Sequence, residues 1–561
     1  MDLPDKDIGN GECRRIALLS QEGSVIAFFA MTRGVVPKRN ISECILNEYA
    51  HDLDCCLDRA ALLTRGCCKT RGTCWTRVGL CAGTIAGMSY EIEPDYEKQW
   101  LFPPSLEDLL GADHPARMVR EFVDAQDLVE LGFKTRAVED GRPSYGSKLQ
   151  LKVWLYGYMT KNRSSRGLER ACLDQMGMLW LTGMSHPDHT TLWRFWRDNK
   201  EPIRKIFRQL LQVAMSLDLV GLVLHAVDGT KIVSQASDQQ GWHRTSLEKK
   251  LARLDEAIDE ILKQTEQTGG GQGPECRLPE PLQKKQLLRE KVREQLKQLN
   301  QKQREHLHPG DEDARVMKCR AGNRFAYNAQ AVVDQQSKLI VAAEVVTDET
   351  DNYQLVPMIE QVENNLGKVA QQTVADAGYQ ATTGLAEAED KGYSVLVNQP
   401  EPREDEPYHA SHFQYEPEKD QCICPRGEVL GYECTREREK VQAYSVRIYR
   451  CSSFENCPVR WQCSSSKRGR TVQIHPKHDA LVRQREKLKD QTMRALLKQR
   501  GATVEPVFGW AKEVLGFRRW SVRGLEKVKT QWALQCTAMN LLRLYKSWSA
   551  GTVRFGSGGC R

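Results

Sequence analysis

Three carboxylates stand at positions where acidic side chains could perform phosphodiester chemistry. Asp228 follows a short apolar run, Asp376 follows another, and Glu505 lies in a helical region near the end of the chain. Mg²⁺ prefers oxygen ligands, and two such ions can activate an attacking oxygen and stabilise a leaving one. The chain has 74 acidic residues, so a trio of this kind could also arise by chance. The pattern alone leaves both interpretations open.

Two glycines, Gly229 and Gly378, lie just beyond the first two acids. Glycine at such a position lets the chain turn sharply and leaves room for a ligand. Ligands of open α/β sheets bind at the carboxyl ends of the strands. We therefore expect Asp228 to end the first predicted strand and Asp376 to end the fourth.

The elements that would position these acids alternate between strands and helices. Four-residue to nine-residue apolar runs predict strands, and apolar residues at spacings of three and four predict helices. This order predicts an α/β domain with a mixed sheet. The predicted strands are 219–227, 325–333, 339–346, 372–375 and 394–397, and the predicted helices are 353–364, 383–391 and a last helical region over 492–548.

The segment before this domain, residues 100–217, is predicted to be helical. Within it, His186, Asp188 and His189 could bind a metal, but an Asp directly before an apolar-periodic run more often begins a helix. We favour the helix start. The predicted helices are 106–110, 115–128, 149–161, 165–173, 190–198 and 201–216.

Two segments interrupt the α/β domain. Residues 246–307 are rich in Lys, Glu, Leu and Gln and divide at 269–273, which predicts an antiparallel helical hairpin. Residues 400–485 are polar and contain Cys and Pro. Four thiolates in this second segment could hold a structural Zn²⁺, although free, reduced cysteines explain the spacing equally well. The candidate zinc ligands are Cys424, Cys451, Cys457 and Cys463.

Residues 1–87 differ from the remainder because they have no sustained hydrophobic period and contain eight of the 19 cysteines. We interpret them as an upstream extension without a fixed fold; a cysteine-rich metal module is the alternative. Without a secretion signal, this many cysteines indicates a reducing compartment. We expect a cytoplasmic protein without a membrane span; association with the nucleoid is an expectation that follows only from the family resemblance described below.

The net charge of +7 permits a nucleic-acid partner without establishing one. Nine Lys and Arg residues between 494 and 529 outnumber three acids, as expected for a surface that neutralises phosphates. A solvated basic helix face is the alternative.

Several motifs, taken in order, resemble those of DDE transposases of bacterial insertion sequences with a helical N-terminal domain. The likeness covers about residues 95–548. The motifs are FPPSLEDLLGADHPAR, SRGLER, HPDHTTLWRFW, VDGTKI, MKCRAGNRFAYNAQAVVD, VADAGY, VEPVFGWAK and RRWSVRGLEKV.

This resemblance implies an RNase H-like catalytic core in which Asp228, Asp376 and Glu505 hold two Mg²⁺ or Mn²⁺ ions. It also implies that Arg500 and Lys512 grip DNA phosphates. Lys512 follows Glu505 by seven residues and would share its helix face. A Tyr that relatives often carry shortly before the Arg is replaced by Leu497. Because Pro506 is tolerated best near a helix start, we expect the last helix to begin near Glu505.

The helical domain would then read DNA, with Trp193 and Trp196 packing behind it. The alternative is a purely structural bundle. The partners implied are double-stranded DNA, as the inverted repeats at the element's ends and as the target, and a second copy of the chain in a synaptic homodimer. The basic side chains expected to face DNA include Arg163, Arg166, Arg170, Arg194 and Arg197.

The predicted function is cutting and joining of phosphodiesters at the ends of an insertion sequence. The alternatives are an inactive DNA-binding protein derived from a transposase, an RNase H-fold nuclease that cuts without joining, and an RNA-directed enzyme of the same fold. The predicted domains are 1–87 (extension), 95–217 (helical DNA-binding), 218–399 with 490–548 (catalytic core), 400–489 (Cys-containing insertion) and 549–561 (tail).

Overall fold

A computed structural model describes residues 105–134, 144–267, 280–399, 406–439 and 443–555, and the backbone of two strands near the N-terminus. The chain divides into two units, Met1–Leu101 and Phe102–Arg561. In the first unit, β1 (Arg15–Leu19) and β2 (Val25–Ala30) pair antiparallel. The other residues of 1–87 lie outside the described part, so the extension without a fixed fold stays a prediction.

The helical segment has the helices expected from its periodicity and one more, α4. Asp188 begins α5 by accepting hydrogen bonds from the backbone N–H groups of Thr190 and Thr191 at 2.8 and 2.9 Å, which confirms the helix start. The elements are a 3₁₀ turn at Leu106–Leu109, α1 (Pro115–Asp124), α2 (Ser147–Met159), α3 (Ser165–Asp174), α4 (Met176–Thr182), α5 (His189–Asp198) and α6 (Lys200–Ser216).

The α/β domain contains a six-stranded mixed sheet in the order β10-β9-β3-β7-β6, with β8 also pairing with β7. β3, β9 and β10 run parallel, whereas β7 is antiparallel to β3 and to β8. This is the RNase H-like architecture expected. Its elements are β3 (Leu224–Val233), β6 (Arg315–Cys319), β7 (Gly322–Asp334), β8 (Ile340–Val346), α9 (Leu355–Leu366), β9 (Gln372–Ala375), α10 (Thr382–Asp390) and β10 (Val395–Val397).

The position of Asp228 in β3 corrects the prediction that it ends a strand. β3 continues to Val233, because Asp228 and the five residues after it pair with β7 from Ala331 to Ala326. The parallel pairing with β9, by contrast, stops at Val227 and Ala375. Asp228 is therefore the first residue of β3 that no longer pairs with β9.

The helical hairpin is confirmed as α7 (Arg244–Gln267) and α8 (Glu280–Gln301), with 268–279 outside the described residues. The short strands β4 (Trp242–His243) and β5 (His306–Leu307) pair antiparallel at its base. Leu247, Val292 and Leu299 form a small core of their own with the base.

The Cys-containing insertion, for which no strands were predicted, forms a five-stranded antiparallel sheet. Its core contains Cys422, Leu430 and Tyr449. The elements are β11 (Gln414–Glu416), β12 (Gln421–Ile423), β13 (Val429–Glu439), β14 (Ala443–Cys451), α11 (Arg460–Cys463) and β15 (Thr471–Ile474).

After the insertion sheet, α12 (His478–Lys487) leads into α13 (Gln491–Gly509), which continues as a π-helix over Trp510–Val514. The expected helix start near Glu505 is wrong, because Pro506 lies inside α13. A proline inside a helix leaves the carbonyl four residues earlier without its usual donor. Here the Lys338 ammonium donates to that carbonyl, of Ala502, at 3.3 Å.

The last helix, α14 (Leu525–Ser549), forms much of the core. Trp532 is fully buried in it, packs against Phe508 of α13, and donates its indole N–H to the Gln330 carbonyl at 2.9 Å. Of the predicted tail, Phe555 is buried and packs against Phe122 of α1. In the part of the chain that the structure describes, no helix is long and apolar enough to cross a membrane.

Amide side chains form hydrogen bonds with outward-facing backbone groups of two strands of the six-stranded sheet, β10 and β8. At β10, Gln484 of α12 accepts from Val397 N–H at 3.4 Å and donates to the Val395 carbonyl at 3.0 Å. At β8, three amides take the same part: Asn540 bonds both backbone groups of Ile340, Gln361 bonds those of Ala343, and Asn365 donates to the Val341 carbonyl.

Candidate active site

The structure brings the three predicted carboxylates to one end of the mixed sheet. Asp228 lies on β3, and Asp376 directly follows the adjacent strand β9. Glu505 comes from α13, which packs against β3, β7 and β9. The link is Arg500, whose Nη1 donates to Asp228 Oδ2 at 2.9 Å and whose Nη2 donates to Glu505 Oε1 at 3.3 Å.

The Asp228 side chain is 17% exposed, whereas the Glu505 side chain is 64% exposed. Burial raises the pKa of Asp228 to about 6, against the stabilising charge of Arg500, and the negative charge of Asp376 raises it further. Two buried carboxylates that repel each other are a favourable place for a divalent cation, because the cation offsets both charges.

Asp376 caps the turn that follows β9. Its Oδ1 accepts the backbone N–H of Gly378 at 2.8 Å. A Cβ atom on Gly378 would lie 2.9 Å from that oxygen, so the glycine leaves the room that the carboxylate occupies. This agrees with the role expected for Gly378.

Gly229 also provides space, although it lies within a strand and makes no sharp turn. A Cβ atom there would overlap the Gln330 amide nitrogen and lie 2.6 Å from an oxygen of Asp351. Asp351, in the loop between β8 and α9, was not among the predicted site residues. A loop carboxylate without a neighbouring apolar run offers no signal of this kind in the sequence.

Lys512 lies in the π-helical segment and reaches β3. Its ammonium donates to the hydroxyl of Thr230 and lies 3.5 Å from the Lys231 carbonyl. Burial lowers the pKa of Lys512, whereas the negative charges of Glu513 and Asp228 are among those that raise it. The structure therefore places this cation beside the strand that carries Asp228.

The predicted DNA-contacting arginines of the helical domain differ in environment. Arg163 donates to the Gln535 side chain at 2.9 Å and to the Leu515 carbonyl, so it joins the helical domain to the core. Arg197 pairs with Asp198 at 2.8 Å. The remaining three are exposed: Arg166, Arg170 and Arg194.

Arg194 lines a cleft of about 850 Å³, together with Lys134 and Tyr145. Arg166 lines a second opening beside Trp193, whose ring stacks on that of Trp196 at 5.3 Å. Trp196 is 1% exposed. The tryptophans thus pack as expected, with the exposed arginines at two neighbouring openings.

The four cysteines considered as zinc ligands line one cavity of about 140 Å³ in the insertion. Among the described residues the cysteines are free thiols. Cys424 Sγ accepts the backbone N–H of Arg426 at 3.3 Å. Burial raises the pKa of Cys451 and of Cys463, and each is raised further by the thiols around it.

Within the described ranges, no group of three or more His, Cys, Asp or Glu side chains is arranged so that it could hold a metal ion as it stands. The thiols of the insertion line one cavity, and the carboxylates come from β3, the turn after β9 and α13. Side chains at either place would have to change rotamer to coordinate a metal.

Two family models match parts of the chain. Residues 423–545 match the model of a transposase DDE domain, and residues 104–198 match that of a transposase domain, DUF772. The first match contains Arg500, Glu505 and Lys512, while Asp228 and Asp376 lie outside both. A comparison with curated proteins finds no match.

Proposed function

We propose that the chain is a DDE transposase of the insertion-sequence type, which cuts and joins phosphodiesters at the ends of its element; two segments that match transposase family models support this. Asp228, Asp376 and Glu505 are the proposed metal ligands. One observation carries this proposal: the Arg500 guanidinium donates hydrogen bonds to both Asp228 and Glu505. In addition, the negative charge of Asp376 raises the pKa of Asp228, so the two aspartates lie close together.

DDE transposases depend on divalent metal ions, and the carboxylate set fits Mg²⁺ or Mn²⁺. Two such ions would activate the attacking oxygen and stabilise the leaving one. Asp228, buried between two elements, would hold its place with little loss of side-chain freedom. Glu505, which is exposed, would add the third carboxylate ligand from α13.

Arg500 and Lys512 are proposed to neutralise DNA phosphates beside the scissile bond. A guanidinium binds carboxylate and phosphate with the same pair of donors, so Arg500 can exchange a carboxylate for a phosphate oxygen. Lys512, held against Thr230, adds a positive charge near Asp228. In this arrangement the chain's own cations position the DNA and its carboxylates position the metal.

The central test is cleavage and joining of duplexes that contain the DNA flanking this gene. We expect cleavage to free a 3′-OH in Mg²⁺ or Mn²⁺, and none in EDTA, because the carboxylates alone cannot activate the attacking oxygen. A pre-cut end should join target DNA under the same conditions. Cleavage without joining would favour the nuclease alternative, and full activity in EDTA would contradict the mechanism.

The helical domain is proposed to contact DNA through Arg166 and Arg194. Both are exposed and line openings on neighbouring helices. Neutralising phosphates releases counterions, so each phosphate contact steepens the salt dependence of binding.

We therefore expect the double variant Arg166→Gln, Arg194→Gln to bind end DNA more weakly, with a salt slope smaller by about 2. Fluorescence anisotropy over a range of NaCl concentrations measures both. Arg120→Gln is the matched control, because Arg120 belongs to the same domain, was not expected to face DNA, and pairs with Glu107. An equal loss in the control would argue for a structural bundle. The mass of the DNA-bound complex would show whether two copies assemble, as proposed for a synaptic homodimer.

The cysteine cavity is proposed to hold one structural Zn²⁺ through Cys424, Cys451, Cys457 and Cys463. Zinc in proteins takes four such thiolates. A backbone N–H directed at a sulfur, as from Arg426 to Cys424, stabilises thiolate charge. These ligands come from the turn after β12, the end of β14 and the segment around α11, so a metal would tie the ends of the insertion sheet together.

A further inference from the structure

A polar layer on the side of β3 away from α13 is centred on Asp351. The Asp351 carboxylate accepts hydrogen bonds from the side-chain amides of Asn328 and Gln330, each at 2.6 Å, and from the Lys231 ammonium at 3.1 and 3.2 Å. Lys231 and Asp351 are 18% and 19% exposed. Three donors therefore fix this carboxylate in a largely buried position.

The layer lies behind the first catalytic strand. Gly229 faces Gln330, and Lys231 faces Asn328, across the β3–β7 pairing. Successive residues of a strand point to opposite faces, so Gly229 and Lys231 lie opposite Asp228 and Thr230. The latter two contact Arg500 and Lys512, on the side of α13.

Asp351 also approaches both segments that carry the catalytic aspartates. A Cβ atom on Gly229 would lie 2.6 Å from one oxygen of Asp351, and one on Gly378 would lie 3.6 Å from the other oxygen. Because neither glycine has a side chain, the Asp351 carboxylate can lie close to the backbone next to Asp228 and to the backbone near Asp376. One side chain contacts two segments that are far apart in the chain.

The charges of Asp351, Asp228 and Asp376 all act on one nearby side chain, Tyr379. Burial raises the pKa of Tyr379 far above its usual value, and the charges of Asp351, Asp228 and Asp376 raise it further. The Tyr379 hydroxyl donates to the Gln330 side chain, which in turn donates to Asp351. Lys231 is the cation paired with Asp351, so the pair is neutral as a whole.

We propose that Asp351 is a positioning residue for the catalytic centre: it holds the Asp228 and Asp376 segments together and neutralises Lys231. Without that neutralisation, the Lys231 ammonium would oppose a divalent cation at the aspartates. This rests on the proposed function, since it concerns the metal that Asp228 and Asp376 would bind. It predicts opposite effects for the two partners of one ion pair, which a loss of packing does not produce.

The test measures binding of Mn²⁺ alone to the purified full chain. The electron paramagnetic resonance signal of free Mn²⁺ gives the bound fraction. Asp351→Asn should weaken binding by roughly tenfold, because Lys231 is left unpaired. Lys231→Gln should leave binding equal or tighter, and the double variant should return close to the wild-type affinity. Asp348→Asn is the matched control, since Asp348 is in the same loop and its carboxylate bonds Gln354 instead.

In the cleavage assay, Asp351→Asn should need more Mn²⁺ for half-maximal rate, while the KM for DNA stays unchanged. Equal weakening of Mn²⁺ binding by Asp351→Asn and Lys231→Gln, or no change in either, would overturn the positioning role while leaving the proposed function intact. A wild-type chain that binds no Mn²⁺ and cleaves no DNA would overturn both.

Discussion

Asp228→Asn is expected to abolish strand cleavage and joining, with a fall of about a thousandfold or more, or roughly 4 kcal/mol in transition-state stabilisation. The variant keeps the shape of the side chain and removes the charge that would bind the metal. DNA binding should be equal or tighter, because one negative charge near the phosphates is lost. Single-turnover cleavage and anisotropy with the same duplex measure the two effects separately.

The stability of this variant should not decrease. The raised pKa of Asp228 means that folding disfavours its ionised form, so at neutral pH the carboxylate destabilises the folded chain. Replacing it by the neutral amide removes that cost, and the melting temperature should be equal or higher. A variant that melts well below the wild type would have lost activity through unfolding and would not support the metal role.

Glu505 offers a matched pair of variants on one continuous helical segment. Glu505→Gln should reduce cleavage as Asp228→Asn does, whereas Glu513→Gln should not, because Glu513 pairs with Arg518 and not with the Arg500 that bonds Asp228. Full cleavage activity in Glu505→Gln would remove the third acid from the mechanism.

Replacing Cys457 by Ser is expected to reduce the zinc content from about one ion per chain to almost none, because a structural site needs its full set of four ligands. Inductively coupled plasma mass spectrometry on protein purified without added zinc measures this directly. The melting temperature of the wild type should fall on treatment with a strong chelator, since zinc binding contributes to folding.

Cys434→Ser is the control for this experiment. Cys434 belongs to the same group of cysteines in the sequence, but it lies on β13 and does not line the cavity. Its replacement should leave the zinc content unchanged. A wild-type chain without zinc would show that the four thiols are free, and an equal loss of zinc in Cys434→Ser would show that the metal is not held by this cavity alone.

The mixed α/β domain and both apolar strands before the aspartates were predictable, because buried strands leave continuous apolar runs in the sequence, whereas the order of the strands in the sheet was not. Nor was the length of β3 predictable. Its second half, from Asp228 to Val233, is stabilised by pairing with β7, and that partner begins about 90 residues later. A strand of mixed composition is apparent only once its neighbour is known.

The environment of Pro506 shows a second limit. Its effect on the helix depends on whether another group satisfies the Ala502 carbonyl, and the group that does so, Lys338, comes from the turn between β7 and β8. Local sequence rules describe the missing N–H but contain no information about a donor more than 160 residues away. The predicted helix start was wrong for this reason.

The acids themselves were found by their motifs in order, whereas Asp351 was found only through contacts. Asn328 and Gln330 lie within a predicted strand, and Lys231 lies in the part of β3 that was not predicted. Nothing in the sequence indicated that these three side chains meet one carboxylate. The five-stranded insertion sheet was missed in a similar way, because its strands are polar and its small core takes few residues from each strand.

The amides that satisfy β8 and β10 also restrict how copies of this chain can associate. A strand from another molecule could extend the sheet at either place only by displacing Gln484 or Asn540, which would leave buried amide groups unpaired at about 1–3 kcal/mol each. Unprotected edge strands are common starting points for aggregation. At these two edges the protein resists such polymerisation, and the homodimer proposed above would have to form through other surfaces.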